Sequence, residues 1–233
     1  MTRALSLFGI FVSLTLNALT GSAQEPIQGQ EYRVIDPAQP TAVDKGKVEV
    51  VEIFYYGCSH CFDFEPQFNK WKGGKPKEAS VTYMPAMFGE KQAPAAKLYY
   101  ALEEMGLVEK LHGKIYDEIH VRQHQELLDD PDAMAKFLAK QGVDAKRFRE
   151  VYDSFGVANK VGRATQMMGN YRVKGTPSVV VNGKYITGPS MTVKGDQVDF
   201  ERFSVVLNQL VAMEIPKAAA KKTKKKKKAA PKE

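Results

Sequence analysis

Cysteine is almost missing from this chain. Its 233 residues contain two, too few for a disulfide scaffold or a four-cysteine zinc site. Repeats at a fixed period are absent, which excludes a solenoid. Beyond residue 23 no apolar run is long enough to span a bilayer, so no transmembrane helix is expected in the body. A basic body is missing too, although the formal charge is +7. Residues 217–233 carry nine lysines against Glu233, and residues 1–23 carry only Arg3. Residues 24–216 keep 24 basic and 26 acidic side chains, a net of −2. The whole-chain charge therefore says nothing about a basic binding face on the folded part. What the chain does have is 43% apolar residues, enough for one ordinary globular core without staples.

The first 23 residues read as a secretory signal peptide. Arg3 supplies the positive end. Leu5 to Leu16 is apolar except for Ser6, Gly9, Ser13 and Thr15. Gly21-Ser22-Ala23 offers the small residues of a cleavage site, placed after Ala23. The alternative is a membrane anchor, but the run falls short of the roughly 20 residues a span requires. The mature protein is expected to be soluble and exported.

The mature body, 24–216, alternates strand and helix patterns. A polar lead-in with Pro26, Pro37 and Pro40 holds at most a short strand near Tyr32–Val34. Val48 to Tyr56 reads as a buried strand. A helix follows from Cys58–Ser59 to about Trp71, with Phe64, Phe68 and Trp71 on one face, Pro66 predicting a kink, and Gly73-Gly74 as its stop. Ser80 to Pro85 is a second strand. Helices are expected from Pro94 to Met105, Val108 to His124, Pro131 to Gln141, Asp144 to Phe155 and Val157 to Met168. Asp130-Pro131 gives an N-cap followed by proline at the first helical position. Ser178–Val181 and Tyr185–Thr187 flank Asn182-Gly183, which predicts a hairpin with a two-residue turn. Phe200 to Ala212 closes the fold, which Pro216 ends. The order predicts an α/β domain with a helical insertion at about 90–168.

The chemistry concentrates at Cys58-Ser59-His60-Cys61. Two cysteines scattered at random in such a chain fall three apart roughly once in a hundred times. Their placement matters more, directly after a buried strand and at a helix start. A helix N-terminus carries partial positive charge and unpaired N–H groups. A Cys58 thiolate is favoured there, and a protonated His60 would add a second charge. Cys58 sits at the helix mouth as the attacking sulfur, and Cys61, one turn in, as the resolving one. A structural disulfide is the first alternative, though so short a loop gains little closure entropy. Half of a metal site with His60, His112, His120 or His124 is the second, but the other half is missing. His112, His120 and His124 are expected at the surface or in helix packing.

Val50-Val51-Glu52-Ile53-Phe54-Tyr55-Tyr56-Gly57-Cys58-Ser59-His60-Cys61 resembles the active-site strand and helix of the DsbA family. These are periplasmic thiol:disulfide oxidoreductases of thioredoxin-like fold with an inserted helical domain. Gly175-Thr176-Pro177-Ser178 and the Val-Val-Val-Asn-Gly-Lys-Tyr after it resemble that family's cis-proline loop and hairpin. The likeness covers about residues 31–213. It implies that Cys58 is the substrate-bonded nucleophile, Cys61 the resolving cysteine, and Ser59-His60 the dipeptide that tunes the potential. Many members carry proline where this chain has Ser59. Glu52 matches the acidic residue beneath the site, a proton relay to Cys61 when buried and an ordinary strand-edge glutamate otherwise. Pro177 is implied to be cis, and Thr176 to present backbone groups to an extended substrate.

The resemblance further implies disulfide donation to unfolded exported proteins with free cysteines, and reoxidation by a DsbB-type membrane quinone reductase. No cofactor or metal is called for, and nothing requires more than a monomer. Two other readings stay open on residues alone. The same fold could act as a reductase, because Ser59-His60 does not fix the potential, or as an isomerase, although the segment before the first strand is too short for a separate dimerisation domain. It could also be a binding module acting through its lysine tail, Lys217–Lys232, on an anionic surface.

Overall fold

The computed structural model describes residues 24–215. The signal peptide expected over 1–23, the terminator Pro216 and the lysine-rich tail lie outside the described residues.

A mixed five-stranded sheet forms the centre. Its strands are β1 (Arg33–Val34), β2 (Val48–Phe54), β3 (Ala79–Pro85), β4 (Ser178–Val181) and β5 (Tyr185–Thr187), in the spatial order β1-β5-β4-β2-β3. β2 is parallel to β3 and antiparallel to β4. It is therefore interior to the sheet, and all seven of its residues are buried. That double-sided burial is why Val48–Phe54 reads as continuous apolar sequence apart from two glutamates.

Period-two alternation sends β2 side chains to two separate cores. Val48 and Val50 face α1 (Ser59–Gly74) and α7 (Phe200–Glu214), where Phe64, Phe68 and Trp71 meet Phe203, Leu207 and Leu210. Burial of Phe64 or Phe68 contributes about 1.5–3 kcal/mol each. Val51 and Ile53 face the other way, into a core with Val180, Ile186 and the helices of the insertion. Those helices, α2 (Ala93–Glu104), α3 (Val108–Tyr116), α4 (Pro131–Lys140), α5 (Ala145–Tyr152) and α6 (Phe155–Asn170), all lie between β3 and β4 in the chain. The fold is thus a thioredoxin-like α/β fold with inserted helices. No helix among the described residues is long and apolar enough to cross a membrane.

Several local expectations need correction. Gly73-Gly74 does not stop α1; both lie in its last turn, and Lys75 before Pro76 ends it, since the residue before proline avoids helical backbone. The stretch from Val108 to His124 is not one helix. α3 ends at Tyr116, a π turn occupies Asp117–Val121, and a 3-10 turn occupies Gln125–Leu128. Gln123 adopts φ +62° there, outside the helical region. α5 stops at Tyr152 rather than Phe155, because Ser154 caps α6 by accepting from the Val157 N–H at 3.2 Å. The hairpin forms, but Val181 pairs with Tyr185, so three residues connect the strands rather than two. Asn182 and Gly183 both take positive φ as that turn needs, and Lys184 is the extra residue. A small second sheet, β6 (Val193–Lys194) with β7 (Gln197–Val198), had no signal in the sequence.

Candidate active site

Four helices begin with a polar side chain that satisfies their first N–H groups: Asp130 for α4, Asp144 for α5, Ser154 for α6 and Asp199 for α7. α1 begins differently. Its N-cap is Cys58, which makes no side-chain capping bond, and its first turn holds no acidic residue. The N–H groups and positive end of the helix dipole are left facing sulfur.

The two cysteines are free and unequally placed. Cys58 is half-buried at the helix mouth, and Cys61 is fully buried one turn in. Their environments push their acidities apart. The Cys61 thiol, donating to the Cys58 sulfur, lowers the Cys58 pKa to about 5 against the opposing cost of burial. The Thr176 side chain and the backbone N–H groups of Cys61 and His60 act in the same direction. Burial, and then the Cys58 sulfur, push Cys61 far above the usual thiol range. His60 thus acts on Cys58 through its backbone N–H; its side chain, like that of Ser59, is exposed.

The second half of the site comes from the far end of the chain. The Thr176–Pro177 bond is cis, and the Thr176 carbonyl accepts from the Cys58 thiol at 3.5 Å. Pro177 is buried directly before β4. Gly188 lets the chain pass close by, since a Cβ there would lie 2.9 Å from the Pro177 carbonyl oxygen. A groove of about 980 Å³ opens beside this loop, lined by His60, Asp63, Thr176, Met191, Val193 and Val198 among others. Arg33 and Lys174 add positive charge to its wall. The β6–β7 hairpin supplies the exposed apolar side chains Val193 and Val198.

Glu52 is not a strand-edge residue. It sits on the interior strand, opposite Tyr83 of β3 and Val179 of β4, with no exposed surface. Neither carboxylate oxygen has a hydrogen-bond partner. Burial, reinforced by Glu65, raises its pKa well above the ordinary value, with Lys72 opposing. Burial without a hydrogen-bond partner favours the protonated acid over the carboxylate.

Glu65, which the sequence reading did not single out, acts on it, and His112 stands beside Glu65. Glu65 on α1 is buried, and its Oε1 accepts from the Asn69 amide at 2.8 Å. Burial pushes Glu65 up, but His112, Asn69 and Lys72 together bring it below the ordinary value. His112 is not a surface residue; it is buried on α3, with Nε2 3.7 Å from Glu65 and Nδ1 2.9 Å from the Tyr56 hydroxyl. His120, in the π turn, donates through Nε2 to the Tyr56 carbonyl at 2.7 Å and stacks on Phe62 at 5.0 Å. His124 alone is exposed, bonded to Glu126. One signal for Glu65 was available: it stands four residues after Cys61, on the same helix face. Among the described residues, no group of three or more ligating side chains could hold a metal ion.

Comparison with known proteins gives one answer. The DSBA-like thioredoxin domain family profile matches residues 49–200. A "Thiol:disulfide interchange protein DsbA" of Burkholderia cepacia is 38% identical over 192 residues, covering 82% of this chain and 90% of that protein. The protein of the same name from Pseudomonas syringae pv. tomato is 36% identical over 209 residues, covering 86% and 96%. Among solved structures, Pseudomonas aeruginosa DsbA superposes with a TM-score of 0.74 at 34% identity, covering 84% of this chain and 96% of that one.

Proposed function

The chain belongs to the DSBA-like thioredoxin domain family and is a thiol:disulfide oxidoreductase, and on that premise we propose how its residues divide the work. The oxidised protein carries the Cys58–Cys61 disulfide. A thiolate of a reduced, newly exported protein attacks Cys58 Sγ, the half-exposed sulfur; Cys61 cannot be reached. The electron pair of the broken S–S bond passes to Cys61, which leaves into an apolar interior and must take a proton there. Glu52, protonated and buried on the strand beneath, supplies it. A second substrate thiolate then attacks the substrate sulfur of the mixed disulfide. Cys58 departs readily because its thiolate is stabilised. The substrate leaves oxidised by two electrons and this protein leaves as the dithiol.

Thr176 and Pro177 hold the substrate backbone against the site, with the groove beside them taking an extended apolar segment as an added strand. Ser59 and His60 set the backbone around Cys58 and face the incoming chain. The signal-peptide pattern and the family support a periplasmic location. Reoxidation of the dithiol falls to a membrane quinone reductase of the DsbB type, and the nine lysines of 217–233 offer contact with an anionic surface.

The observation that carries this reading is the opposed placement of two thiols three residues apart, one half-exposed at an uncapped helix mouth and one fully buried. A thiolate favoured at Cys58 stabilises the dithiol form, and that makes the disulfide an oxidant. Equilibration with glutathione buffers and counting of alkylated thiols tests it. A potential near the roughly −120 mV of DsbA supports a disulfide donor; one near the roughly −270 mV of thioredoxin reverses the electron flow and sinks the reading.

A further inference from the structure

Five buried side-chain polar atoms of one cluster lack a hydrogen-bond partner: both oxygens of Glu52, Oε2 of Glu65, Nε2 of His112 and the hydroxyl of Tyr116. Unpartnered buried polar atoms are costly and normally scattered. Their concentration beneath a redox site calls for a function.

The cluster is contiguous. His112 lies 3.7 Å from Glu65, its ring stands 5.2 Å from that of Tyr116, and its other nitrogen meets the Tyr56 hydroxyl. Cys61 and Glu52 both oppose ionisation of Tyr116, so both lie within electrostatic reach of its hydroxyl. Glu65 in turn acts on Glu52. Three elements of the thioredoxin part contribute: β2 with Glu52, the strand-to-helix turn with Tyr56, and α1 with Cys61, Glu65 and Lys72. The inserted helices contribute His112 and Tyr116 from α3.

We propose that His112 is a positioning residue for the thiol–disulfide reaction: paired with Glu65 and the Tyr56 hydroxyl, it fixes the charge that Glu52 feels and so governs protonation of Cys61 as Cys61 leaves Cys58. The inference rests on the proton-donor reading of Glu52 given above. The proton moves from the Glu52 carboxyl to the Cys61 thiolate, leaving one new negative charge in the cluster. Lys72 acts on Glu52 directly, and His112 acts on Glu65, which in turn acts on Glu52. The other titratable groups against the His112 ring are neutral phenols, Tyr83 of β3 at 4.9 Å and Tyr99 of α2 at 6.2 Å. Glu109 stands on the same helix as His112 and adds to the field on Tyr83. The insertion therefore does more than cover the site, since it holds one member of the proton-sharing set.

The test follows reduction of the oxidised protein by dithiothreitol across pH, with each rate normalised to the attacking thiolate. Wild type is expected to slow as pH rises through the titration of the cluster, because Cys61 loses its proton source. Glu52→Gln should flatten that profile. Glu65→Gln should move its midpoint down, since Glu65 holds Glu52 up. His112→Gln frees Glu65 to take a proton and should move the midpoint in the same direction, down, by at most about one pH unit. The double variant with Glu65→Gln should displace it no further than Glu65→Gln alone. A merely structural His112 would change stability and leave the midpoint in place, which overturns the proposal. So does a His112 displacement that persists unchanged in the Glu52→Gln background. Where His112→Gln fails to fold, Tyr56→Phe is judged by the same criterion, because it keeps the ring and removes only the hydroxyl bonded to Nδ1. A wild-type protein whose normalised rate ignores pH overturns the Glu52 reading as well, so the two failures are distinguishable.

Discussion

Cys58 and Cys61 are the same residue type three positions apart, and the fold gives them opposite chemistry. Cys58 stands where α1 opens, within reach of N–H groups that no capping side chain has taken. Cys61 stands one helical turn deeper, fully buried, where burial and the Cys58 sulfur outweigh what Tyr55 and Thr176 offer an ionised sulfur. The first is built to be a thiolate and the second to be a thiol. One helical turn, about 5.4 Å, separates a site of favourable potential from an apolar interior. Reactivity here is a property of position rather than of residue type.

Removing Cys58 should have the largest effect. Cys58→Ser is expected to abolish disulfide donation with the fold intact, measured by oxidation of a reduced substrate protein; retained activity would move the nucleophile elsewhere. Cys61→Ser leaves the nucleophile without its resolving partner. It should accumulate mixed disulfides visible on a non-reducing gel, and their absence would reverse the roles.

The thiolate itself can be titrated. Absorbance of reduced protein should show Cys58 ionising near pH 5. Because the folded pKa lies below the unfolded 9.0, Cys58 contributes stability that is fully present above about pH 9 and lost as pH falls through about 5. Reduced wild type should therefore gain stability over Cys58→Ser as pH rises across that window, measured by denaturant melts. Glu52 works in the other direction. Its folded pKa is raised, so its favourable share holds below about 4.5 and declines as pH rises. Glu52→Gln should be the more stable protein at neutral pH, by an amount growing about 1.4 kcal/mol per unit until the carboxyl ionises in the fold. Val193→Asp and Val198→Asp should have the smallest effect. They place charge in the groove and should raise KM for an apolar peptide a few-fold, about 1 kcal/mol, while reaction with a small thiol stays unchanged.

Much of this asymmetry was legible before any coordinates. A buried strand running into Cys-x-x-Cys announces the helix mouth, and Thr176-Pro177 before a valine run announces the opposing loop. The strands and most helix starts follow from period and caps. What stayed hidden was three-dimensional. His112 sits beside Leu111 on an amphipathic helix, and nothing in that pattern distinguishes a buried histidine from a bordering one. Glu52 could be read as buried or edge until β4 was seen to pair on its far side. The π turn at Asp117–Val121, which aims His120 at the Tyr56 carbonyl, looks like ordinary helix in sequence. The β6–β7 hairpin is too short and too polar to register as a strand pair.

The Thr176 carbonyl that meets Cys58 lies 118 residues farther along the chain. A chain synthesised N-terminus first delivers its reactive pair well before the loop that completes the site. β2 can pair with β3 early, because they are near neighbours in sequence, whereas β4 must wait for the whole insertion to close a long loop. The full set of groups that lowers the Cys58 pKa, the Thr176 side chain among them, is thus assembled late. An ionised Cys58 becomes a built-in clock for maturation, so its appearance during refolding should coincide with docking of β4 and trail the formation of α1.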